Sequence, residues 1–522
     1  MPINIKLVGA LNEAPGDEKI LQVQALPGRT VAQSIYLSGL FKSPALCSGL
    51  GSCGQCKVRY LNAAPAPVSK EFELLGESAV EAGWRLGCKH SYAEDVLLEL
   101  PEFTEIKREE AAPQAFGGNA YLAVDLGTTS IHWQLIENDT VVASGSQINP
   151  QMGAGSDVVA RLQQAELPGG LELLSGLVQA ELRNIINSLP VRPAEACIAG
   201  NTAMTALFLG IPPKGLARAP YMLPLAGGRE YNLPNLPSVY VPPMLAPFVG
   251  GDISAGMMKI LDFSSPVLFP FIFSDLGTNG EFVLALAPDK FIACSIPMGP
   301  AVEGIGLSCG GLAGVGSEGN LVLTSFKMTS QGLEAKLPLE QASAISGTGY
   351  LSLLSILLKY HVVSLDGTFA TDPDDNHSPI RQKILRNLHT NAAGTSLRIG
   401  QLKLTASDVE ELLKVKAAYS LAVKSLLAEG GLQAKDLKKV YLAGALGEHV
   451  SSFDLLDLGF LPQNCEGKIE AVGNSSLAGA VLLQDKNVRR KACEFKDSTN
   501  VFSLVGQPGF MEKYVAEMRF VY

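Results

Sequence analysis

Four cysteines near the amino end of this 522-residue chain have the spacing of a metal cluster rather than of a disulfide framework. Cys47, Cys53 and Cys56 form C-x5-C-x2-C, and Cys88 follows thirty-two residues later. An iron–sulfur cluster held by four thiolates needs a loop that curls around it, with small residues that leave backbone N–H groups aimed at the sulfurs. Gly49, Gly51 and Gly54 give the loop that freedom. A zinc knuckle is the competing use of such thiols, but it usually pairs two C-x2-C turns, and this loop has one. The remaining cysteines, Cys197, Cys294, Cys309, Cys465 and Cys493, are scattered singly and read as small buried apolar residues.

Two further stretches suit phosphate. In Asp125-Leu-Gly-Thr-Thr-Ser130, which follows an apolar run, Gly127 lets the backbone approach a phosphate and Thr128 and Thr129 donate to it from hydroxyl and N–H groups. Asp125 is placed to hold Mg²⁺ directly or through water. A second turn, Asp275-Leu-Gly-Thr-Asn-Gly-Glu281, offers Gly277, Thr278, Asn279 and Gly280 as a cradle, with Asp275 free to orient an attacking water or the far side of the metal. A third strand-like run leads into Gly444-Ala-Leu-Gly447. Either turn alone is a weak signal that reads more readily as an ordinary β-turn; the three together favour a nucleotide. There is no G-x4-G-K-[ST] motif, so a P-loop is excluded. Glu448 and His449, beside the third run, read as nucleotide contacts or, about as well, as helix-start polarity, and Asp372, Asp374, Asp375 and His377 read as a solvated loop.

These residues need elements to hold them. Strand-like runs at 3–8 and 19–25, a helix over 31–40 with Thr30 as its cap, the cysteine loop and a strand at 96–100 predict a small α+β module. Residues 101–118 are charged and then punctuated by Pro and Gly, which marks a linker. Beyond it, strand-like and helical runs alternate, which predicts an α/β class. The strongest helical pattern runs from Ser407, taken as its cap, to Glu429, where Gly430-Gly431 stops it. The stretch 211–251 is dense in Pro and Gly and predicts ordered surface loop.

Composition narrows the classes further. At 47% hydrophobic and 18% charged residues the chain is globular, with length for about three or four structural units. A net charge of −10 provides no basic face for a nucleic-acid backbone or an anionic membrane. The apolar run at 267–273 is broken by Pro270 and is too short to span a bilayer. The amino end has no charged region followed by an apolar stretch and cleavage site, so a cytoplasmic protein is expected.

The four cysteines, behind two strands and a helix, resemble the 2Fe-2S ferredoxins of the C-x5-C-x2-C type, as does Trp84-Arg85-Leu86-Gly87 before Cys88. That resemblance implies a β-grasp module carrying one electron at a time. Asp125-Leu-Gly-Thr, Asp275-Leu-Gly-Thr and Gly444-Ala-Leu-Gly447, in that order, resemble the two phosphate turns and adenosine loop of the actin, sugar-kinase and heat-shock ATPase superfamily, and 473–480 resembles its late connecting helix. With the segments at 200–208, 242–252 and 294–304, the chain is similar over nearly its whole length to the reductive activators of corrinoid proteins. The resemblance implies a ferredoxin domain at 1–100, a linker at 101–118 and a two-lobed ATPase at 119–522, with lobes near 119–265 plus 471–522 and 266–470. It also implies a 2Fe-2S cluster on Cys47, Cys53, Cys56 and Cys88, with ATP and Mg²⁺ at the two turns and Gly444 and Gly447 flanking the adenosine. The activity implied is ATP-dependent return of a Co(II) corrinoid methyl-transfer protein to Co(I), fed by an upstream low-potential donor, and a homodimer is expected by analogy. Two other readings are open at this point: a small-molecule kinase with a redox-sensing ferredoxin domain, and an electron carrier gated by nucleotide without hydrolysis.

Overall fold

The computed structural model describes residues 4–10, 18–44, 46–51, 53–92, 95–100, 115–116, 119–262, 266–312, 321–370, 378–391, 394–444 and 450–522. The chain forms two compact units. The first comprises Met1–Ile198, Ala203–Leu225 and Glu230–Tyr240; the second comprises Ala199–Thr202, Ala226–Arg229 and Val241–Tyr522.

The first unit opens with a mixed five-stranded sheet. Its strands are β1 (Asn4–Ala10), β2 (Glu18–Gln24), β3 (Lys57–Tyr60), β4 (Trp84–Leu86) and β5 (Val96–Glu99), in the order β2-β1-β5-β3-β4. β1 runs antiparallel to β2 and parallel to β5. The helix Val31–Tyr36 starts at a capping box in which Thr30 Oγ1 accepts from the Gln33 N–H at 3.3 Å and Gln33 Oε1 accepts from the Thr30 N–H at 3.0 Å. It buries Val31 and Ile35 in a core with Val23, Val58, Leu86 and Leu98. This is the expected β-grasp arrangement. The helix is shorter than its sequence pattern, ending at Tyr36 because the chain turns at Gly39, whose φ of +71° is left-handed.

Of the linker at 101–118, β6 (Ala115–Phe116) pairs in parallel with β10 (Val191–Arg192), and the rest lies outside the described residues. The same unit then builds a six-stranded sheet. Its strands are β7 (Ala120–Leu126), β8 (Ser130–Glu137), β9 (Thr140–Ile148), β11 (Glu195–Gly200), β12 (Arg229–Tyr231) and β13 (Ser238–Val241), ordered β12-β13-β11-β7-β8-β9. Residues 120–124 are buried without alternation, as a strand covered on both faces requires. The helix Gly170–Ser188 turns Leu174, Val178, Leu182 and Ile185 inward at helical spacing.

The second unit has its own six-stranded sheet, in the order Ile469–Gly473, Lys439–Ala443, Phe271–Leu276, Asn279–Ala287, Lys290–Pro297 and Thr499–Val501. The helix Ala406–Glu429 lays Leu412, Val415, Tyr419, Ala422 and Leu426 in the core with Phe282 and Leu284. Its cap is Thr405 rather than Ser407. Thr405 Oγ1 accepts from the Asp408 N–H at 3.2 Å and Asp408 Oδ2 accepts from the Thr405 N–H at 2.8 Å, a reciprocal pair that Ser407 cannot make. Gly430 stops the helix as expected. The late helix Ser475–Leu482 packs on Gly251–Leu261 so closely that a side chain at Gly479 would overlap the Ala255 carbonyl. Among the described residues no helix is long and apolar enough to cross a membrane.

Candidate cluster pocket and phosphate turns

The cysteine loop leaves the end of the first helix and returns into β3. Ser48, Gly49, Gly51 and Gly54 all have φ between +50° and +83°, the left-handed turns that let so short a loop curl. Lys89 pins it, donating from Nζ to the Gly49 carbonyl at 2.6 Å. Cys88 is placed by the buried Glu71. That carboxylate accepts from the Leu86 N–H at 2.6 Å and the Val68 N–H at 2.9 Å and lies 2.8 Å from His90 Nε2, so it holds the strand and the turn on either side of Cys88. The Gly87 N–H donates to the Cys56 carbonyl at 2.9 Å, and a Cβ at Gly87 would press on that carbonyl at 3.1 Å.

The four thiols line one cavity, walled on its other side by residues 152–155. Cys53 is hydrogen-bonded to Cys47, and Cys56 to Cys88. Those bonds, followed by burial, push Cys53 and Cys56 far up; the Cys56 bond draws Cys88 down. Cys53 and Cys56 so placed resist ionisation on their own, and a cationic centre would reverse that. No three His, Cys, Asp or Glu side chains converge on a single ion among the described residues. Two thiol pairs in one cavity fit four thiolates divided over two irons better than a lone zinc.

The first phosphate turn joins β7 to β8, with Asp125 opposite His132 and Leu126 opposite Ile131. The Gly127 N–H donates to the Ser130 carbonyl at 3.0 Å, and a Cβ at Gly127 would stand 2.7 Å from that oxygen, so the hairpin admits only glycine. Its carbonyls are secured from behind. Asn149 donates from Nδ2 to Gly127 at 2.8 Å and from its N–H to Thr129 at 2.9 Å, and the buried Arg161 guanidinium donates to Thr128. Thr129 Oγ1 is buried with no hydrogen-bond partner, an orphan hydroxyl of the kind a bound phosphate would satisfy. Asp125 is half-buried beside it.

The second turn, in the second unit, repeats the design. Asp275 pairs with Glu281 and Leu276 with Gly280, and the Gly277 N–H donates to the Asn279 carbonyl at 3.0 Å. Both the N–H and the hydroxyl of Thr278 donate to Glu303 Oε1, at 3.0 and 2.9 Å. Gly444 comes against this turn: its φ is +74°, and a Cβ there would lie 2.5 Å from Asp275 Oδ1 and 2.7 Å from the Leu276 carbonyl. Gly447, Glu448, His449 and the acidic loop at 372–377 lie outside the described residues. Glu281 is buried, and burial first, then Asp252 and Asp275, raises its carboxyl well above the usual range. Glu303, Asn149 and Arg161 join the site only once the fold is known, and sequence reasoning misses all three; Glu281 closes the second turn in the sequence, but only its burial beside Asp252 and Asp275 singles it out. Cys294 is fully buried and its thiol is raised by burial, and the half-buried Cys309 accepts from the Lys403 N–H at 3.4 Å, so both are structural.

Two family models match the chain: the C-terminal domain of RACo, described as the ASKHA domain, over residues 270–522, and the RACo middle region over 121–261. The chain belongs to the RACo family. Its RACo-like relatives include the corrinoid activation enzyme RamQ of Eubacterium limosum, 26% identical over 76% of this chain and 70% of the relative. Another is the [Co(II) methylated amine-specific corrinoid protein] reductase of Methanosarcina barkeri, 26% identical over 68% of each chain. A solved structure named as a reductive activator for corrinoid, iron-sulfur protein superposes with a TM-score of 0.66 over 99% of this chain and 98% of that one, and at 20% identity it speaks for a shared RACo fold. A stretch of 75 residues is also 35% identical to a component of the Na(+)-translocating NADH-quinone reductase of Chlamydia caviae, covering 14% of this chain and 17% of that protein.

Proposed function

We propose that the chain is an ATP-dependent reductive activator that returns an inactive Co(II) corrinoid protein to Co(I). The observation that carries this reading is one cavity holding four paired thiols on the same chain as two phosphate turns, in a family whose relatives are named for corrinoid activation. When bound, a 2Fe-2S cluster supplies a one-electron carrier and MgATP supplies free energy for a transfer that is otherwise uphill.

The chain's own residues set the conditions. Cys47, Cys53, Cys56 and Cys88 hold the cluster. Gly127, Thr128, Thr129, Gly277, Thr278, Asn279 and Gly280 cradle phosphate, Asp125 and Asp275 hold Mg²⁺ or the attacking water, and Gly444 and Gly447 flank the adenosine. Leu50, 70% exposed within the cysteine loop, gives the corrinoid partner an apolar point of contact close to the electron source. An upstream low-potential donor, a cytoplasmic location and a homodimer complete the proposal, together with a division into ferredoxin (1–100), linker (101–118) and ATPase lobes (119–265 plus 471–522, and 266–470).

Paired variants test it. Asp125→Ala is expected to keep the cluster's visible spectrum and abolish ATP turnover, whereas Cys56→Ala is expected to bind nucleotide and lose the 2Fe-2S signal. Both are expected to leave the corrinoid as Co(II). Unchanged hydrolysis in Asp125→Ala, or an intact cluster signal in Cys56→Ala, contradicts the assignment.

A further inference from the structure

Within the first unit, a single buried side chain touches both the phosphate turn and the wall of the cysteine cavity. The Arg161 guanidinium is fully buried. It donates to the Thr128 carbonyl at the turn, and from Nε to the Gly155 carbonyl at 3.0 Å. Gly155 lines the cavity of the four thiols. The next residue carries the contact onward: the Ser156 N–H donates to Ser48 Oγ at 2.8 Å, Ser48 in turn donates to Asp157 Oδ2, and Ser48 directly follows Cys47.

A second connection runs beside the first. Asn149 holds the Gly127 and Thr129 carbonyls, and its Oδ1 accepts from the Gln151 N–H at 2.9 Å, capping the short helical turn Pro150–Gly153. That turn ends in the cavity wall and is packed so closely on the first helix that a Cβ at Gly153 would stand 2.9 Å from the Tyr36 carbonyl carbon. Asn149 and Gln151 are both fully buried. A charge buried this deeply is costly unless all its hydrogen bonds are made, and one guanidinium spanning two carbonyls leaves neither free to move alone. Close-packed elements of this kind transmit displacement instead of absorbing it.

We infer that Arg161, seconded by Asn149, is a positioning residue that couples nucleotide occupancy of the Thr128–Thr129 turn to the environment of the iron–sulfur cluster. The inference rests on the proposed function for its two ligands and adds the physical link between them. Phosphate drawing on the donors of the turn shifts the Thr128 carbonyl, Arg161 follows, and the Gly155–Ser156 backbone moves against Ser48 and hence against Cys47.

The test uses the cluster-loaded full-length protein and reads the EPR g-values of the dithionite-reduced cluster with and without Mg·AMPPNP, while a fluorescent ATP analogue measures nucleotide affinity. Wild-type protein is expected to show a nucleotide-dependent change in g-values. In Arg161→Met the cluster content is expected to be normal and that change lost, with Arg161→Lys, which keeps the charge but has no fork to span both carbonyls, recovering only part of it. Should Arg161→Met fail to fold, Ser48→Ala is expected to diminish the change at unaltered nucleotide affinity, because it cuts the connection at its far end. Full wild-type response in the folded Arg161 variants, or in Ser48→Ala, overturns the inference. So does a wild-type protein that holds both ligands and shows no change. A wild-type protein that cannot hold cluster or nucleotide overturns the proposed function as well.

Discussion

Replacing Gly444 by alanine isolates the close approach that positions Asp275. At φ +74° an alanine pays the left-handed penalty of roughly 1–2 kcal/mol. Its Cβ would also meet Asp275 Oδ1 at 2.5 Å, the Leu276 carbonyl at 2.7 Å and the Leu276 nitrogen at 2.8 Å. Two of those three atoms are backbone in a central strand, so the overlap is relieved by displacing the turn, at about 1–3 kcal/mol more. The comparison is Gly431→Ala: its φ is +66°, yet nothing lies within 4 Å of the added Cβ. Gly431→Ala is expected to lose the backbone cost alone, a few degrees in Tm. Gly444→Ala is expected to lose roughly twice as much in Tm and, by moving Asp275, at least about tenfold in ATP turnover, which corresponds to about 1.4 kcal/mol at the barrier. The assays are thermal unfolding followed by circular dichroism and steady-state phosphate release. Equal Tm losses with wild-type turnover in both variants would refute the claim that Gly444 fixes the second turn.

Two further outcomes follow from single side chains. Thr129→Val removes a hydroxyl that has no protein partner, so thermal stability is expected to hold or rise, while nucleotide affinity measured by calorimetry falls about tenfold, the scale of one lost hydrogen bond to a charged group. Lys416 is buried against Glu517, and burial lowers its ammonium to about 8 despite that partner. The unfolded chain binds this proton more tightly than the folded one, so stability is expected to rise as pH climbs from about 8 toward 10.5. The slope is at most about 1.4 kcal/mol per pH unit, and less where solvent screens the site. Urea midpoints across that range are expected to rise for wild type and to flatten for Lys416→Met; a parallel rise in both would remove Lys416 as the cause.

What the sequence discloses here is local chemistry, and what it hides is reach. Cys47, Cys53 and Cys56 declare themselves because the loop that holds them is contiguous, and the two Asp-Leu-Gly-Thr turns do so because a hairpin needs only its own residues, with no room for a Cβ at Gly127 in the first. The helix ending at Glu429 is legible through its period and its Gly430 stop. Its true cap is legible too, since Thr405 and Asp408 stand at capping-box spacing, but Ser407 sits closer to the first apolar position and draws the eye. Glu303 lies 25 residues from the Thr278 it accepts from, and Glu71 lies 15 from the Leu86 N–H that sets Cys88. No periodicity marks such partners; a fold must bring them together first. Arg161 is least visible of all, because within a helix of 9 residues an arginine reads as solvent-facing until its burial is known.

The most direct measurement is anaerobic absorbance of a Co(II) corrinoid protein from the same organism, mixed with the reduced protein, with and without MgATP. The Co(I) spectrum is expected to grow in only when MgATP is present. Equal Co(I) formation without nucleotide, or none at all when the 2Fe-2S cluster is intact and reduced, would contradict the proposed function.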